Sequence, residues 1–140
     1  MFRGLFSDFT LTSCRNPQLN PAWREELERL GAKIAVVAMD VTKMEDVRRL
    51  KADLSESFPP VTGVMNAAMV LSDGIFSEMT VERFERVLKP KVDGSRNLDE
   101  VFSDPSMEFF VLFSSFAAAG GNKGQCNYAA ANMVMLIPNK

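Results

Sequence analysis

The 140-residue sequence contains no histidine, and this absence excludes two large classes of catalytic site. Hydrolases of the Ser-His and Cys-His types use an imidazole as their base, so neither chemistry can operate from residues of this chain alone. The two cysteines, Cys14 and Cys126, form no metal-ligand pattern, and one pair does not define a disulfide framework. We therefore expect no metal site and a reducing, cytoplasmic environment.

The sequence also lacks long apolar runs and an excess of basic residues. No apolar stretch approaches the roughly 20 residues of a membrane-spanning helix, and the first residues lack the apolar core of a secretory signal. Acidic and basic residues are interspersed and the net charge is −2, whereas nucleic-acid-binding domains carry basic patches. We expect neither a membrane nor a nucleic acid as partner. With 46% hydrophobic residues, the chain is able to bury the core of one domain.

Strand-like and helix-like segments alternate along the chain, which predicts an α/β fold with a parallel sheet and helical crossovers. Strands are predicted at residues 9–13, 33–39, 61–67 and 108–114. Helices are predicted from Pro21 to just before Gly31, from a Thr42/Glu45 capping box to about Ser57, over residues 80–102, and over residues 125–136. Pro90 lies inside the third helix, where a kink is expected.

The third predicted helix carries one residue that its amphipathic pattern does not explain. Its apolar stripe, at about 100° per residue, has Lys91 in the middle. The stripe consists of Phe84, Val87, Leu88, Lys91, Ser95, Leu98 and Phe102. Lys89 falls on the opposite, charged face, where a solvated lysine is ordinary. Lys91 either extends its amine from a half-buried face to water or is held there for a chemical purpose.

Two residues near the end of the chain suit carbonyl reduction. Ser115 follows the last predicted strand, and Tyr128 lies thirteen residues further on, in the last predicted helix. Delivery of hydride to a ketone leaves negative charge on oxygen, so such a site needs a proton donor and a second hydrogen-bond donor. A phenol with a pKa near 10 serves as the acid only when a cation lies close, which links Lys91 to the same site.

Six ordered sequence blocks cover most of the chain. They are Leu11-Thr12-Ser13 with Arg15-Asn16-Pro17, Asp40-Val41-Thr42, Asn66-Ala67-Ala68-Met69-Val70-Leu71, Leu88-Lys89-Pro90-Lys91-Val92-Asp93-Gly94-Ser95, Phe110-Val111-Leu112-Phe113-Ser114-Ser115, and Gly124-Gln125 with Asn127-Tyr128. Together they resemble the ketoreductase domains of fungal highly reducing polyketide synthases, a branch of the short-chain dehydrogenase/reductase superfamily. The resemblance implies one domain over residues 1–140 with a partial Rossmann-like, doubly wound parallel sheet. It lacks the family's first strand, glycine-rich turn and first helix.

The resemblance also assigns catalytic roles to four residues. Tyr128 would protonate the developing alkoxide, and Ser115 would hold the substrate oxygen. Lys91 would lower the pKa of Tyr128, and Asn132 would position that lysine or a proton-relay water. In simpler relatives a lysine stands four residues after the tyrosine, whereas these ketoreductases place asparagine there and bring the lysine from an earlier helix. Ser114 is the alternative serine, although strand geometry turns its side chain away from that of Ser115.

NADPH is the cofactor that the resemblance implies, with contacts at the carboxyl ends of the strands. Ser13 and Arg15 would meet the adenosine 2′-phosphate, and Asp40 and Val41 would contact the adenine. Asn66, Ala67 and Ala68 would let the cofactor approach the backbone. The residues alone leave other roles open: a surface arginine at 15, a helix-entry aspartate at 40, and tight strand-to-helix packing at 66–68.

One departure from the family pattern concerns the phosphates. A dinucleotide site needs a glycine-rich turn after its first strand, so that backbone N–H groups and a helix N-terminus meet the pyrophosphate. No such turn occurs, because the glycine cluster at 120–124 matches instead the family loop before the tyrosine.

Two functions therefore stand side by side. The first is NADPH-dependent reduction of a β-ketoacyl chain on an acyl carrier protein, next to other polyketide synthase domains or subunits. The second is a catalytically incompetent ketoreductase-derived fragment or a packing subunit. An incomplete sheet exposes an edge and an apolar face, so poor solubility or self-association is predicted.

Overall fold

A computed structural model describes residues 8–14 and 21–136 and confirms the α/β class. Its strands are β1 (Asp8–Ser13), β2 (Lys33–Ala38), β3 (Gly63–Asn66) and β4 (Phe109–Leu112). Its helices are α1 (Pro21–Arg29), α2 (Met44–Ser57), α3 (Val81–Phe102), α4 (Ala117–Gly120) and α5 (Cys126–Val134), with a 3₁₀ turn at Phe76–Glu78. The predicted order of strands and long helices is confirmed, whereas the 3₁₀ turn and the one-turn α4 were not expected.

The strands form two parallel pairs. In the first, β1 lies beside β2, with Asp8 opposite Lys33 and Ser13 opposite Ala38. In the second, β3 lies beside β4 over four residue pairs, ending with Asn66 opposite Leu112. No ladder joins the two pairs within the described residues.

The order of the two pairs follows from the helices that cover them. Val37 of β2 and Met39, which follows β2 directly, pack into the core formed with α2 and α3. Ile34 is also buried, but two-residue alternation turns it to the opposite face, and α1 contacts β2. Since crossovers are right-handed, helices on opposite faces reverse the direction in which the sheet grows. The order expected from this rule is β2-β1 followed by β3-β4, with the reversal between β1 and β3.

This order explains why the sheet is divided. In a doubly wound sheet the first strand of the fold lies at the reversal point, between the second strand and the fourth. In the expected order, the two pairs would be the strands on either side of that position.

The predicted capping box of α2 is wrong. Thr42 does not cap the helix, because its backbone N–H and its hydroxyl both donate to Oδ1 of Asp40, at 3.0 and 2.7 Å. The helix begins after Lys43, which has no side-chain cap bond. Asp46 in the first turn instead accepts a hydrogen bond from the backbone N–H of Asp40 at 3.1 Å. Asp46 thereby holds the loop after β2 against the start of α2.

The predicted long helix is confirmed as α3 and continues through Pro90. Thr80 caps it by accepting a hydrogen bond from the backbone N–H of Arg83 at 3.3 Å. Most of the predicted stripe is buried, and Gly94 and Val101 join it. At Gly94 the helix approaches Val41 so closely that an added Cβ would lie 2.8 Å from a valine methyl group.

The hydrophobic core lies between α2, α3 and one face of the strands. Its buried members are Met39, Val47, Leu50, Leu54, Val64, Leu98, Val101 and Phe102. On the opposite face of the β3–β4 pair, Met65 is 57% exposed, although it stands opposite Val111 in the ladder. Among the helices of the described residues, none combines the length and apolarity needed to span a membrane.

Candidate active site

Lys91 is buried at the centre of α3, with only 3% of its surface exposed. Its ammonium donates a hydrogen bond to the carbonyl oxygen of Phe113 at 2.7 Å and lies 3.6 Å from the sulfur of Met135. Burial lowers the pKa of the Lys91 ammonium from its ordinary value. An amine that reaches out to water is therefore not what the structure shows, and a buried cation requires a reason.

Tyr128 on α5 lies next to this cation. The Lys91 ammonium is 5.9 Å from the centre of the Tyr128 ring. The Tyr128 hydroxyl lies 3.7 Å from the sulfur of Met69, in the loop after β3. The ring is half-buried, so the hydroxyl stands at the boundary between the protein and solvent. The structure thus brings together a cation from α3 and a phenol from α5.

Asn132 lies one helical turn after Tyr128 and is completely buried. The side-chain Nδ2 of Asn132 donates to the backbone carbonyl oxygen of Tyr128 at 2.7 Å. The backbone carbonyl oxygen of Asn132 accepts from the hydroxyl of Ser114 at 3.0 Å. Its Oδ1 is buried without a hydrogen-bond partner among the described residues. Buried polar atoms in proteins are nearly always paired, so this acceptor marks a place for a donor.

The two neighbouring serines have different environments. Ser114 uses its hydroxyl to attach the end of β4 to α5, through the carbonyl of Asn132. The oxygen of Ser115 accepts a hydrogen bond from the backbone N–H of Ala117 at 3.2 Å, at the start of α4. This contact fixes the position of the Ser115 oxygen and uses none of its O–H. Ser115 thus keeps a donor at the carboxyl end of β4.

The block at the end of β3 divides into buried and exposed members. Asn66 is buried and directs its amide toward α3, where Nδ2 donates to the carbonyl oxygen of Pro90 and to the hydroxyl of Ser95. Its Oδ1 accepts from the backbone N–H of Ala68 at 3.0 Å. Ala67 is exposed and carries only a methyl group. Close approach of a ligand to the backbone is therefore sterically open at Ala67.

The remaining predicted cofactor residues lie at the ends of β1 and β2. The carbonyl oxygen of Ser13 accepts from the backbone N–H of Met39, which holds the two strand ends together. Asp40 uses Oδ1 to bind Thr42, and the carbonyl oxygen of Val41 accepts from the side chain of Asn97 at 3.0 Å. Arg15, which was assigned to the 2′-phosphate, lies outside the described residues.

Sequence reasoning missed a set of contacts that hold the 72–74 loop on α5. Asn127 is fully buried and donates from Nδ2 to the carbonyl oxygen of Ser72 at 2.9 Å. Gln125 donates to the carboxylate of Asp73 at 2.9 Å, and the backbone N–H of Gly74 donates to the carbonyl oxygen of Gly124. The apolar pattern gave no signal for these polar residues. The contacts fix the loop that carries Met69 relative to Tyr128.

The parallel strands with helical crossovers place the chain among Rossmann-like α/β proteins, and the candidate site adds a buried lysine beside a tyrosine. The model of the KR domain matches residues 3–136, and the chain therefore belongs to the KR domain family. This confirms the resemblance found in the sequence blocks.

Relatives among characterised proteins are large fungal synthetases. The chain is 53% identical over 125 residues to the polyketide synthase-nonribosomal peptide synthetase hybrid himA of Aspergillus japonicus, covering 89% of this chain and 3% of that protein. It is 48% identical over 125 residues to the hybrid PKS-NRPS synthetase traA of Penicillium crustosum, with the same two coverages of 89% and 3%. The chain thus spans about 3% of the length of these relatives.

Solved structures of polyketide ketoreductases share the fold. An N-terminal ketoreductase from the macrolactin assembly line superposes with a TM-score of 0.82 at 30% identity, covering 93% of this chain and 27% of that one. A-type ketoreductases from a modular polyketide synthase give a TM-score of 0.80 at 36% identity, covering 90% of this chain and 27% of that one. The Rossmann-like fold class predicted from the sequence is confirmed.

Proposed function

We propose that this chain carries the proton-transfer residues of an NADPH-dependent ketoreductase, which reduces a β-ketoacyl thioester on an acyl carrier protein to the hydroxyl. The observation that carries the proposal is the buried Lys91 ammonium, 5.9 Å from the Tyr128 ring. The names of the fungal relatives support a polyketide context with other synthase domains as partners. The free cysteines Cys14 and Cys126 suit the cytoplasm as its compartment.

Tyr128 is proposed as the acid that protonates the alkoxide. Proton transfer leaves a phenolate, whose negative charge is stabilised by a fixed cation. The attraction between a cation and a phenolate is stronger in a partly buried site than in water, because the effective dielectric constant is lower there. The cation costs no reorganisation during the reaction, because Phe113 already holds the Lys91 ammonium in place.

Ser115 and Asn132 complete the proposed site. Ser115 would donate its O–H to the substrate carbonyl oxygen, on which negative charge develops. Asn132 offers the buried acceptor Oδ1 beside the carbonyl of Tyr128, which suits either a relay water or the lysine ammonium. Both side chains act by positioning charge and protons.

The donor groups fit part of NADPH. When bound, the nicotinamide would supply the hydride. Its place would be at the exposed Ala67, at the carboxyl end of β3. Asp40 and Val41 would contact the adenine, while Ser13 and Arg15 would meet the 2′-phosphate. The described residues include no glycine-rich turn for the pyrophosphate, so affinity is expected to be weak.

Binding and turnover test the proposal in sequence. Folded chain is titrated with NADPH and then with NADH, following nicotinamide fluorescence, and saturable binding that prefers NADPH is expected. Oxidation of NADPH by a β-ketoacyl thioester surrogate is then measured for the wild type and for Tyr128→Phe. The variant should bind NADPH normally and lose turnover by about a hundredfold or more. Undiminished turnover in Tyr128→Phe would exclude the mechanism.

A second candidate function is a packing element without catalytic activity. It is favoured by the separation of the β1–β2 and β3–β4 pairs, which leaves the strand-reversal point without a joining ladder in the described residues. This candidate predicts a folded chain that binds neither NADPH nor NADH. The same titration therefore distinguishes the two functions.

A further inference from the structure

The amide of Asn66 is surrounded by the helical turn that carries Lys91. Its Nδ2 lies 3.2 Å from the carbonyl oxygen of Pro90 and 3.0 Å from the hydroxyl oxygen of Ser95. That hydroxyl in turn donates to the carbonyl oxygen of Lys91, one turn earlier in the helix. Asn66 is therefore connected to the backbone of residues 90 and 91, directly and through one hydroxyl.

A second connection runs from Asn66 to the other end of the lysine. The backbone carbonyl of Asn66 accepts from the backbone N–H of Phe113 at 3.0 Å, just beyond the paired residues of β3 and β4. The carbonyl of Phe113 is the acceptor for the Lys91 ammonium at 2.7 Å. The side chain and the main chain of Asn66 thus lead to the two ends of the same lysine.

Local chemistry makes α3 weak at this turn. Pro90 has no N–H, so the helix loses one backbone hydrogen bond, and the ring also crowds the preceding turn. The hydroxyl of Ser95 bonds back to the carbonyl four residues earlier, which commonly bends a helix. A donor from outside the helix at the Pro90 carbonyl ties this turn to another element. Asn66 supplies that donor from a strand end.

We infer that Asn66 is a positioning residue for Lys91 and that Ser95 is its relay. By fixing the turn at residues 90–91 and the carbonyl of Phe113, Asn66 holds the ammonium at a defined place beside Tyr128. The significance of that place rests on the proposed function, whereas the hydrogen-bond circuit does not. Both ends of the Asn66 amide already have partners within the protein. Its Nδ2 donates to Pro90 and Ser95, and its Oδ1 accepts from the backbone N–H of Ala68.

Chemical labelling of single lysines measures how firmly Lys91 is held. The full chain is treated with acetic anhydride at a series of pH values, and the acetylation rate of each lysine is read by mass spectrometry. Lys89 is an internal reference, because it lies on the exposed face of α3 and pairs with Glu85. In Ser95→Ala and Asn66→Ala, Lys91 should be acetylated about fivefold faster, the factor expected for one lost hydrogen bond. The labelling rate of Lys89 should be unchanged.

Two further variants separate positioning from general loosening. Ser95→Thr keeps the hydroxyl and should restore slow labelling of Lys91. Leu54→Ala removes a core side chain away from the circuit, so it should lower stability without singling out Lys91. If Asn66→Ala does not fold, Ser95→Ala and Ser95→Thr decide alone. Equal labelling of Lys91 in the wild type and Ser95→Ala, or an equal acceleration in Leu54→Ala, would overturn the inference. Acetylation of Lys91 is measured without any turnover. The reductase proposal therefore fails in the turnover assay, whereas the positioning role fails in the labelling assay.

Discussion

At the scale of single residues, Lys91 and Lys89 occupy opposite environments on the same helix. The two lie two positions apart on α3, but Lys91 is buried and Lys89 is exposed beside Glu85. A buried cation opposes folding, and within the described residues its desolvation is compensated by the Phe113 carbonyl and by contacts with Met135 and Tyr128. Proteins keep such groups where activity requires them at the expense of stability.

Lys91→Met is therefore expected to remove activity without removing stability. The folded-state pKa of Lys91 lies below its unfolded value, so the charged amine destabilises the fold at neutral pH and this cost disappears as pH rises through that window. In urea denaturation at pH 7, the free energy of unfolding of Lys91→Met should equal that of the wild type or exceed it by up to about 1 kcal/mol. The difference should be smaller near pH 10. Lys89→Met is the control and should give no gain. A large loss of stability in Lys91→Met would show that the cation is structural.

The sequence alone placed Lys91 on the apolar stripe of α3 but did not give the contacts of Asn66, which the resemblance assigned to the cofactor. Helical periodicity placed Lys91 on an apolar face, and periodicity is a local property that the sequence carries directly. The partners of Asn66 lie 24 and 29 residues away, on another element, and only the packed fold brings them within reach. For the same reason the contacts of the buried Asn127 were not predicted, although the residue stands beside Tyr128 in a recognised sequence block.

At the scale of elements, the start of α2 shows how local rules compete. Thr42 and Glu45 have the spacing of a capping box, but Asp40 offers Thr42 a nearer acceptor for both its N–H and its hydroxyl. The first turn is stabilised instead by Asp46, whose pKa is lowered by the hydrogen bond from the backbone of Asp40 and by Arg49. The helix itself was predictable from the sequence. Which side chain stabilises its first turn was decided by the geometry of the folded loop.

The contact between α3 and the loop after β2 predicts an unusual effect of glycine replacement. Glycine in a helix interior is normally less stable than alanine by about 1 kcal/mol. At Gly94, however, an added Cβ would lie 2.8 Å from a methyl group of Val41, a branched and stiff side chain. Gly94→Ala should therefore destabilise the chain by roughly 1 to 3 kcal/mol in urea denaturation.

Gly120 provides the matched control for this prediction. Its added Cβ would lie 2.7 Å from the ring of Phe116, but that ring is 84% exposed and free to turn away. Gly120→Ala should then be neutral within about 0.5 kcal/mol. Equal effects of the two substitutions on the free energy of unfolding would mean that close packing against Val41 does not determine whether α3 tolerates a side chain at position 94.

At the scale of the whole molecule, the sequence predicted the strands but not how they join. Each strand is visible as a short apolar segment, and the crossovers follow from alternation with helices. Whether neighbouring pairs form one ladder is a long-range property of the packed fold, which no local pattern encodes. The division into β1–β2 and β3–β4 therefore emerged only from the structure.

The uncovered face of the β3–β4 pair predicts self-association. Met65, Val111 and Phe113 are 57%, 37% and 50% exposed, and strand alternation places them together on the face opposite α3. Apolar patches on open sheets favour contact between copies. At concentrations on the order of 100 µM, light scattering should detect oligomers of the wild type that Met65→Lys reduces. Leu30→Lys is the control, because Leu30 is 79% exposed but lies beyond the end of α1. A wild-type chain that stays monomeric, or equal effects of the two lysines, would contradict this role of the face.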